Sequence, residues 1–325
     1  NAIKYIRNNK DNILYIPSGN YLYGSTGGTF LGIEDEGLKI QGNGSSSIIT
    51  GGAPGNALFK IKGNNIEIKK IAFKQTTTRN FGLTIENGAK NIVLDNLYFK
   101  GNFFASIHLF ECSDLQIINS KFNNVLGYQI EQKAGYKSNN VLVKGNTSID
   151  CQNDFIELNS EKLNPSKNWV ITNNNVRNIN GSSTENRFIG ITSTNGVIIS
   201  HNIFDKCSGD AAFHFEGTTQ DILITNNVIR DPSGAAGSLI GNYDSTNNTT
   251  GTSKKRHINF SNNLIEFSEG YTTNGTKLLI YSSNEDKTVF NITNNKFINN
   301  SNEKLNLLHK SFSQTHWNFT GNEIH

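Results

Sequence analysis

A short motif returns eleven times along this chain: apolar residues in alternation, a polar pair rich in Asn, then another apolar residue. It reads LKIQGN from Leu38, IEIKKIAF from Ile66, IVLDNLYF from Ile92, LQIINSKF from Leu115, VLVKGNTSI from Val141 and WVITNNNV from Trp169. It continues as VIISHNIF from Val197, ILITNNVI from Ile222, INFSNNLI from Ile258, FNITNNKF from Phe290 and WNFTGNEI from Trp317. The copies are spaced 23 to 36 residues apart, about 28 on average. Each interval holds a second alternating stretch, such as SIHLFEC from Ser106, YQIEQ from Tyr128, DFIELNS from Asp154, RFIGITS from Arg187 and AFHFEG from Ala212.

Alternation with period two predicts β-strands, and the Gly, Asn and Ser between them predict turns. Two or three short strands per repeat, with no helical period, describe one coil of a parallel β-solenoid. The leucine-rich-repeat skeleton L-x-x-L-x-L is absent, and a propeller blade needs about 40 residues. A β-sandwich gives no reason for eleven copies of one motif. The fold expected is all-β: a single-stranded right-handed parallel β-helix of about eleven coils. It would occupy residues 38–325, behind an entry or capping segment, 1–37, with a short helix and strand.

The chain has 51 asparagines in 325 residues, a usage that elsewhere suggests disorder. Here the pairs Asn173/Asn174, Asn226/Asn227, Asn262/Asn263 and Asn294/Asn295 fall at one motif position, with Asn146, Asn202 and Asn322 in the same file. Asn tolerates the left-handed bend of a tight turn, and its amides can bond up and down a stack. This file is read as structural.

The charge balance is small, 30 basic against 27 acidic residues, which offers no strong field for nucleic acid. No apolar run approaches the length of a membrane-spanning helix, so no membrane insertion is expected. Cys112, Cys151 and Cys207 are too few and too far apart for a disulfide framework and are expected to be buried thiols. The chain starts at Asn1 without a leader pattern and reads as a piece of a longer polypeptide.

The repeat, together with the opening NAIKYIRNNKDNILYIPSGNYLYG and its Pro17, Gly19 and Tyr21 turn, resembles the pectate-lyase-like β-helix superfamily. Within it the chain is most similar in type to bacteriophage tailspikes and capsule depolymerases. The resemblance implies a carbohydrate-active protein, extracellular on a virion tail or secreted, and a homotrimer. Its partner would be a polysaccharide, a bacterial capsule or O-antigen, and no cofactor or metal is expected. The polygalacturonase motif set is missing; Asn153-Asp154 and Gly209-Asp210 are partial echoes only.

Alternation then sorts the second strand of each coil. Ile107, Leu109, Tyr128, Ile130, Ile156, Leu158, Phe213 and Phe215 are expected inside. His108, Gln129, Glu131, Glu157, His214 and Glu216 are expected outside, and one outward strip over five consecutive coils carries His108, Glu131, Glu157, Arg187, His214 and Glu216. Arg187, Asp154 and Asp210 sit at the strand starts, and Tyr243, Asp244 and Tyr281 lie further along. Glycoside hydrolysis needs two carboxyls. Glu131 and Glu157, one coil apart, would lie about 5 Å apart, the range of a retaining pair. Glu157 and Glu216, two coils apart, would approach the upper end for an inverting pair. The catalytic set expected is Glu157, Glu131, Glu216 and His214. Arg187, Asp154, Asp210, His108, Tyr243 and Tyr281 would bind substrate.

Two other functions fit the same strip. A uronate lyase or epimerase would use His108 or His214 as base, with Arg187 neutralising the substrate carboxylate. An adhesin would only bind. Phe110, Phe155 and Phe188 read as outward rings, placed for sugar stacking, for edge-coil packing or for a trimer interface. Glu34-Asp35-Glu36 reads as a solvated acidic loop, and Lys254-Lys255-Arg256 as a basic loop facing a glycan or a neighbouring subunit.

Overall fold

The computed structural model describes residues 13–23, 29, 31–34, 36–51, 54–161, 163–181, 185–232, 238–243, 256–269, 277–282, 288–301, 304–308 and 316–325. The expected entry helix, Asp35, Asp244, Lys254 and Lys255 lie outside the described residues.

Among the described residues every strand pairing is parallel, and the chain winds as a β-helix with three strand files. Among them the first sheet has twelve strands, from Ile13–Tyr15 to His316–Thr320. Eleven of them carry the repeated motif. The twelfth, Ile13–Tyr15, pairs with Lys39–Gln41 but lacks the Asn-bearing turn, so the repeat does not mark it. The strands Gly19–Tyr23 and Leu31–Ile33 add the first rungs of the other two files. In the turn before them, the Tyr21 hydroxyl donates to the Pro17 carbonyl at 3.0 Å. The only helix among the described residues is a three-residue 3-10 turn at Gly44–Ser46. No helix among them is long and apolar enough to cross a membrane.

The core follows from the alternation. Inward Ile, Leu, Val and Phe stack rung on rung; Phe73, Phe99 and Phe122 are register partners whose ring centroids lie 5.1 and 5.2 Å apart. The three cysteines are buried and free, and burial pushes the Cys112 thiol up to about 12.

The two asparagines of each pair divide the labour. The first, as at Asn173, Asn226, Asn262 and Asn294, takes a left-handed φ of 55–56° and turns the chain. The second is buried and joins a ladder from Asn146 through Asn174, Asn202, Asn227, Asn263 and Asn295 to Asn322. Within the ladder each amide donates to the next Oδ1 at 2.9–3.0 Å. The same Oδ1 accepts from the backbone N–H of the rung before it, as Asn227 Oδ1 does from Asn202. The buried turn thereby satisfies both its backbone and its side chains within the protein.

Three sequence expectations change. Phe155 and Phe188 are fully buried, because the strand entries at Asp154–Phe155 and Arg187–Phe188 depart from strict alternation; only Phe110 is part-exposed. Gln129 lies inside, its Nε2 donating to the carbonyls of Gly127 and Gln152, while Tyr128 is half-buried with its hydroxyl on Glu185. Arg256 is 2% exposed and opens a strand; its guanidinium donates to the carbonyls of Thr219 and Gly217 and to Asn242. Elsewhere, Glu34 is ion-paired with Lys62 at 2.9 Å and Glu36 accepts from Asn65.

Candidate functional site

The third file of strands carries the chemistry. Its register aligns one residue per rung: Thr84, His108, Glu131, Glu157, Gly190, His214, Gly241, Tyr281. Five of the expected site residues fall on this single column: His108, Glu131, Glu157, His214 and Tyr281. Arg187, Asp154 and Asp210 precede their strands and fold back onto it. Glu216 lies two residues further along its strand, in register with Thr192. It therefore stands farther from Glu157 than the two coils counted along the sequence.

The column divides into two groups. At the lower rungs, His108 Nδ1 meets Glu131 Oε2 at 2.9 Å, and the imidazole packs on Phe81 with centroids 4.5 Å apart. Both are nearly buried, at 5% and 9% exposure. At the upper rungs, Arg187 is the organising cation. Its Nε and Nη2 donate to Asp210 at 2.5 and 3.3 Å, and its Nη1 to Asp154 Oδ2 at 3.4 Å. Its backbone N–H also donates to Asp154 Oδ1 at 2.8 Å. Burial alone would disfavour its charge, but Asp154 and Asp210 hold it firmly protonated.

Glu157 is the exception in this network. Its Oε2 is buried, has no hydrogen-bond partner, and stands 3.9 Å from Arg187 Nη1. Burial, followed by the neighbouring Asp154 carboxylate, pushes the Glu157 carboxyl well above the ordinary range. The protonated form of Glu157, which burial favours, would find its acceptor in Asp154. The room for that carboxyl comes from Gly190. A Cβ there would lie 2.1 Å from Glu157 Oε2 and 2.7 Å from Asp154 Oδ2.

His214 spans two acids, Asp210 at 3.2 Å from Nδ1 and Glu216 at 3.6 Å from Nε2. Burial opposes its charge, but the bonds to Asp210 and Glu216 raise its pKa on balance. Asp210 is held low: its bonds to His214 and Arg187 overcome the burial that would raise it. Glu216 is likewise lowered, first by His214. The Tyr243 ring stacks on His214 at 4.3 Å and 17°, and Tyr281 packs behind it at 5.3 Å. Gly241 makes this possible, since a Cβ there would come within 2.5 Å of the Tyr243 ring. Burial and Asp210 push the Tyr243 hydroxyl up, so it stays protonated.

The sequence reading brought forward the acids and histidines but not Gly190, Gly241, Tyr128 or Glu185. The glycines had a signal of their own, G at the alternating outward position of RFIGITS and SLIGN. It could have been read as space left for a neighbouring side chain.

The arrangement sets a buried carboxyl whose pKa is raised, Glu157, near carboxyls whose pKa is lowered, Asp210 and Glu216, at the floor of an outward face. No protein-family model matches the sequence, and no curated protein matches it. Solved structures do. The tailspike of E. coli bacteriophage HK620 in complex with a pentasaccharide superposes with a TM-score of 0.68 at 13% identity, covering 100% of this chain and 62% of its own. The Dettilon tailspike protein gives 0.67 at 15% identity, covering 99% of this chain and 63% of its own. The A-module of the Azotobacter vinelandii mannuronan C-5 epimerase AlgE6 gives 0.58 at 14% identity, covering 100% of this chain and 93% of its own. The chain thus spans less than two thirds of the tailspikes it matches. At these identities the likeness is one of architecture: the chain has the parallel β-helix fold of phage tailspikes and of an epimerase module.

Proposed function

We propose that the protein is a polysaccharide depolymerase of the glycoside hydrolase type, acting within a bacterial surface glycan. The observation that carries this reading is Glu157: a buried carboxyl with an unpartnered oxygen, its pKa pushed up by burial and by Asp154. A general acid for glycosidic cleavage needs that state at neutral pH. Glu131 is its register partner one rung away, at a backbone spacing of about 4.8 Å, suited to a nucleophile in a retaining mechanism. Glu157 would protonate the leaving oxygen while Glu131 attacks the anomeric carbon. Water, deprotonated by Glu157, then releases the sugar. His108 holds Glu131 in place, and Arg187, Asp210 and His214 fix the upper floor. Extracellular action on a virion tail, and a homotrimeric state, belong to this same proposal. Tailspike neighbours that hold oligosaccharides support it.

Lyase or epimerase chemistry is less well supported. It needs a cation to neutralise a uronate carboxylate, yet the Arg187 donors are already taken by Asp154 and Asp210. Among the described residues the other acids, Glu131, Asp154, Asp210 and Glu216, outnumber the two nearby cations, Arg187 and His214. The test is incubation with purified capsular and O-antigen polysaccharides, following reducing ends and absorbance near 235 nm. Hydrolysis gives reducing ends without absorbance. An absorbance rise overturns the reading in favour of a lyase, and binding without cleavage favours an adhesin.

A further inference from the structure

Beside the acid column a band of rings crosses the third sheet along the strand direction. Tyr128, Phe104, Phe81, His108, Phe110 and Tyr136 follow one another with centroid steps of 6.1, 5.3, 4.5, 5.1 and 5.2 Å. Apart from His108, all are half-buried, with ring surface left on the outer side of the sheet. Half-burying five aromatic rings on one outward face is unusual for a solvated surface. The band is not purely apolar. The Tyr128 hydroxyl bonds Glu185, and Lys133 lies over Phe110 and Tyr136 at 4.8 and 5.8 Å. Ring faces edged by hydrogen-bonding groups are the complement of a pyranose, which has a C–H face and a hydroxyl rim.

His108 belongs to both structures: it is the middle ring of the band and the partner of Glu131. The band is therefore continuous with the proposed catalytic pair. We infer that it is a saccharide-binding subsite for consecutive neutral sugar rings, hexoses or 6-deoxyhexoses, of the chain cut at Glu131 and Glu157. This rests on the hydrolase reading for the direction of the chain, but the binding itself does not depend on cleavage. Neutral sugars are indicated because the other acids beside the band, Glu131, Asp210 and Glu216, repel a polyuronate, while the one cation over the band among the described residues, Lys133, is exposed and already over two rings.

The experiment measures affinity in the Glu157→Gln background, where cleavage cannot consume the ligand. The probes are neutral O-antigen polysaccharides and polygalacturonate, and the method is affinity electrophoresis. The expected result is binding to a neutral polysaccharide and none to polygalacturonate. Phe104→Ala, next to the Tyr128 end, and Tyr136→Ala, at the other end of the band, should each weaken binding about tenfold, and Phe104→Tyr should restore it. Thermal melting of each variant shows whether it is folded. Folded alanine variants that bind like their parent overturn the inference. So does preferential binding of polygalacturonate, or no binding of any neutral polysaccharide. Reducing-end release by the unmodified protein is scored separately. Band-dependent binding without cleavage would sink the hydrolase reading and leave the subsite standing; cleavage indifferent to the band would do the reverse.

Discussion

Gly190→Ala adds one methyl where the Glu157 carboxyl now lies. The new Cβ would sit 2.1 Å from Glu157 Oε2, whereas carbon and oxygen rest near about 3.5 Å, so the carboxylate must retreat by about 1.4 Å. Asp154, 2.7 Å from the same point and fully buried, cannot yield inward because Arg187 holds both its oxygens. Glu157 must therefore swing outward, toward water. Two consequences follow from one displacement. A catalytic group misplaced by about 1 Å costs about a hundredfold in rate. A carboxyl returned to water also loses the burial that keeps it protonated, so the alkaline limb of the pH profile moves to lower pH. The overpacking itself should cost about 1–3 kcal/mol of stability, leaving the solenoid folded. The assay is reducing-end release across pH, with thermal melting on the same samples. Turnover within about threefold of the parent, with an unmoved alkaline limb, would refute the reasoning that Gly190 houses the acid.

Other perturbations report on separate parts of the account. Asp210→Asn removes an anion that accepts from Arg187 and His214, and should destabilise the fold by about 3 kcal/mol in denaturant titration and lower the His214 pKa seen by NMR. Asn202→Ala interrupts the ladder, stranding the backbone and amide donors of Asn174 and removing one donor each from Asn227 Oδ1 and the Ile171 carbonyl; about 3 kcal/mol should be lost in the same titration. Glu157→Gln should stabilise the protein at pH 7–8 and change little near pH 4, by melting at each pH. The sign is fixed by linkage: the folded chain keeps a proton on Glu157 above about pH 4.3, where the unfolded chain has released it, so stability falls as pH rises toward the raised pKa.

Much of the architecture was legible because a solenoid writes its period into the sequence. Identical environments recur at each rung, so Leu115, Val141, Trp169 and Val197 fall at the same inward position and stack in register. The Asn pairs were legible for the same reason. Alternation also placed His108, Glu131, Glu157 and His214 on one face, because it holds in the middle of a strand. It failed at strand entries, where Phe155, Phe188 and Gln129 turned inward. There the backbone bends between sheets and the two-residue period lapses. Partnerships were not legible at all. That Arg187 reaches Asp154 and Asp210, or that Tyr128 meets Glu185 across 57 residues, depends on which loops close over which rung. The two glycines of the column mattered through the space they leave, a quantity visible only once neighbouring rungs are stacked.

The central claim is that water is added across a glycosidic bond at Glu157. Digestion of a susceptible polysaccharide in water enriched in oxygen-18, read by mass spectrometry of the fragments, tests it most directly. One labelled oxygen per new reducing end, abolished in Glu157→Gln, is the predicted result. Unlabelled fragments with unsaturated ends, or labelled cleavage that persists in Glu157→Gln, would contradict it.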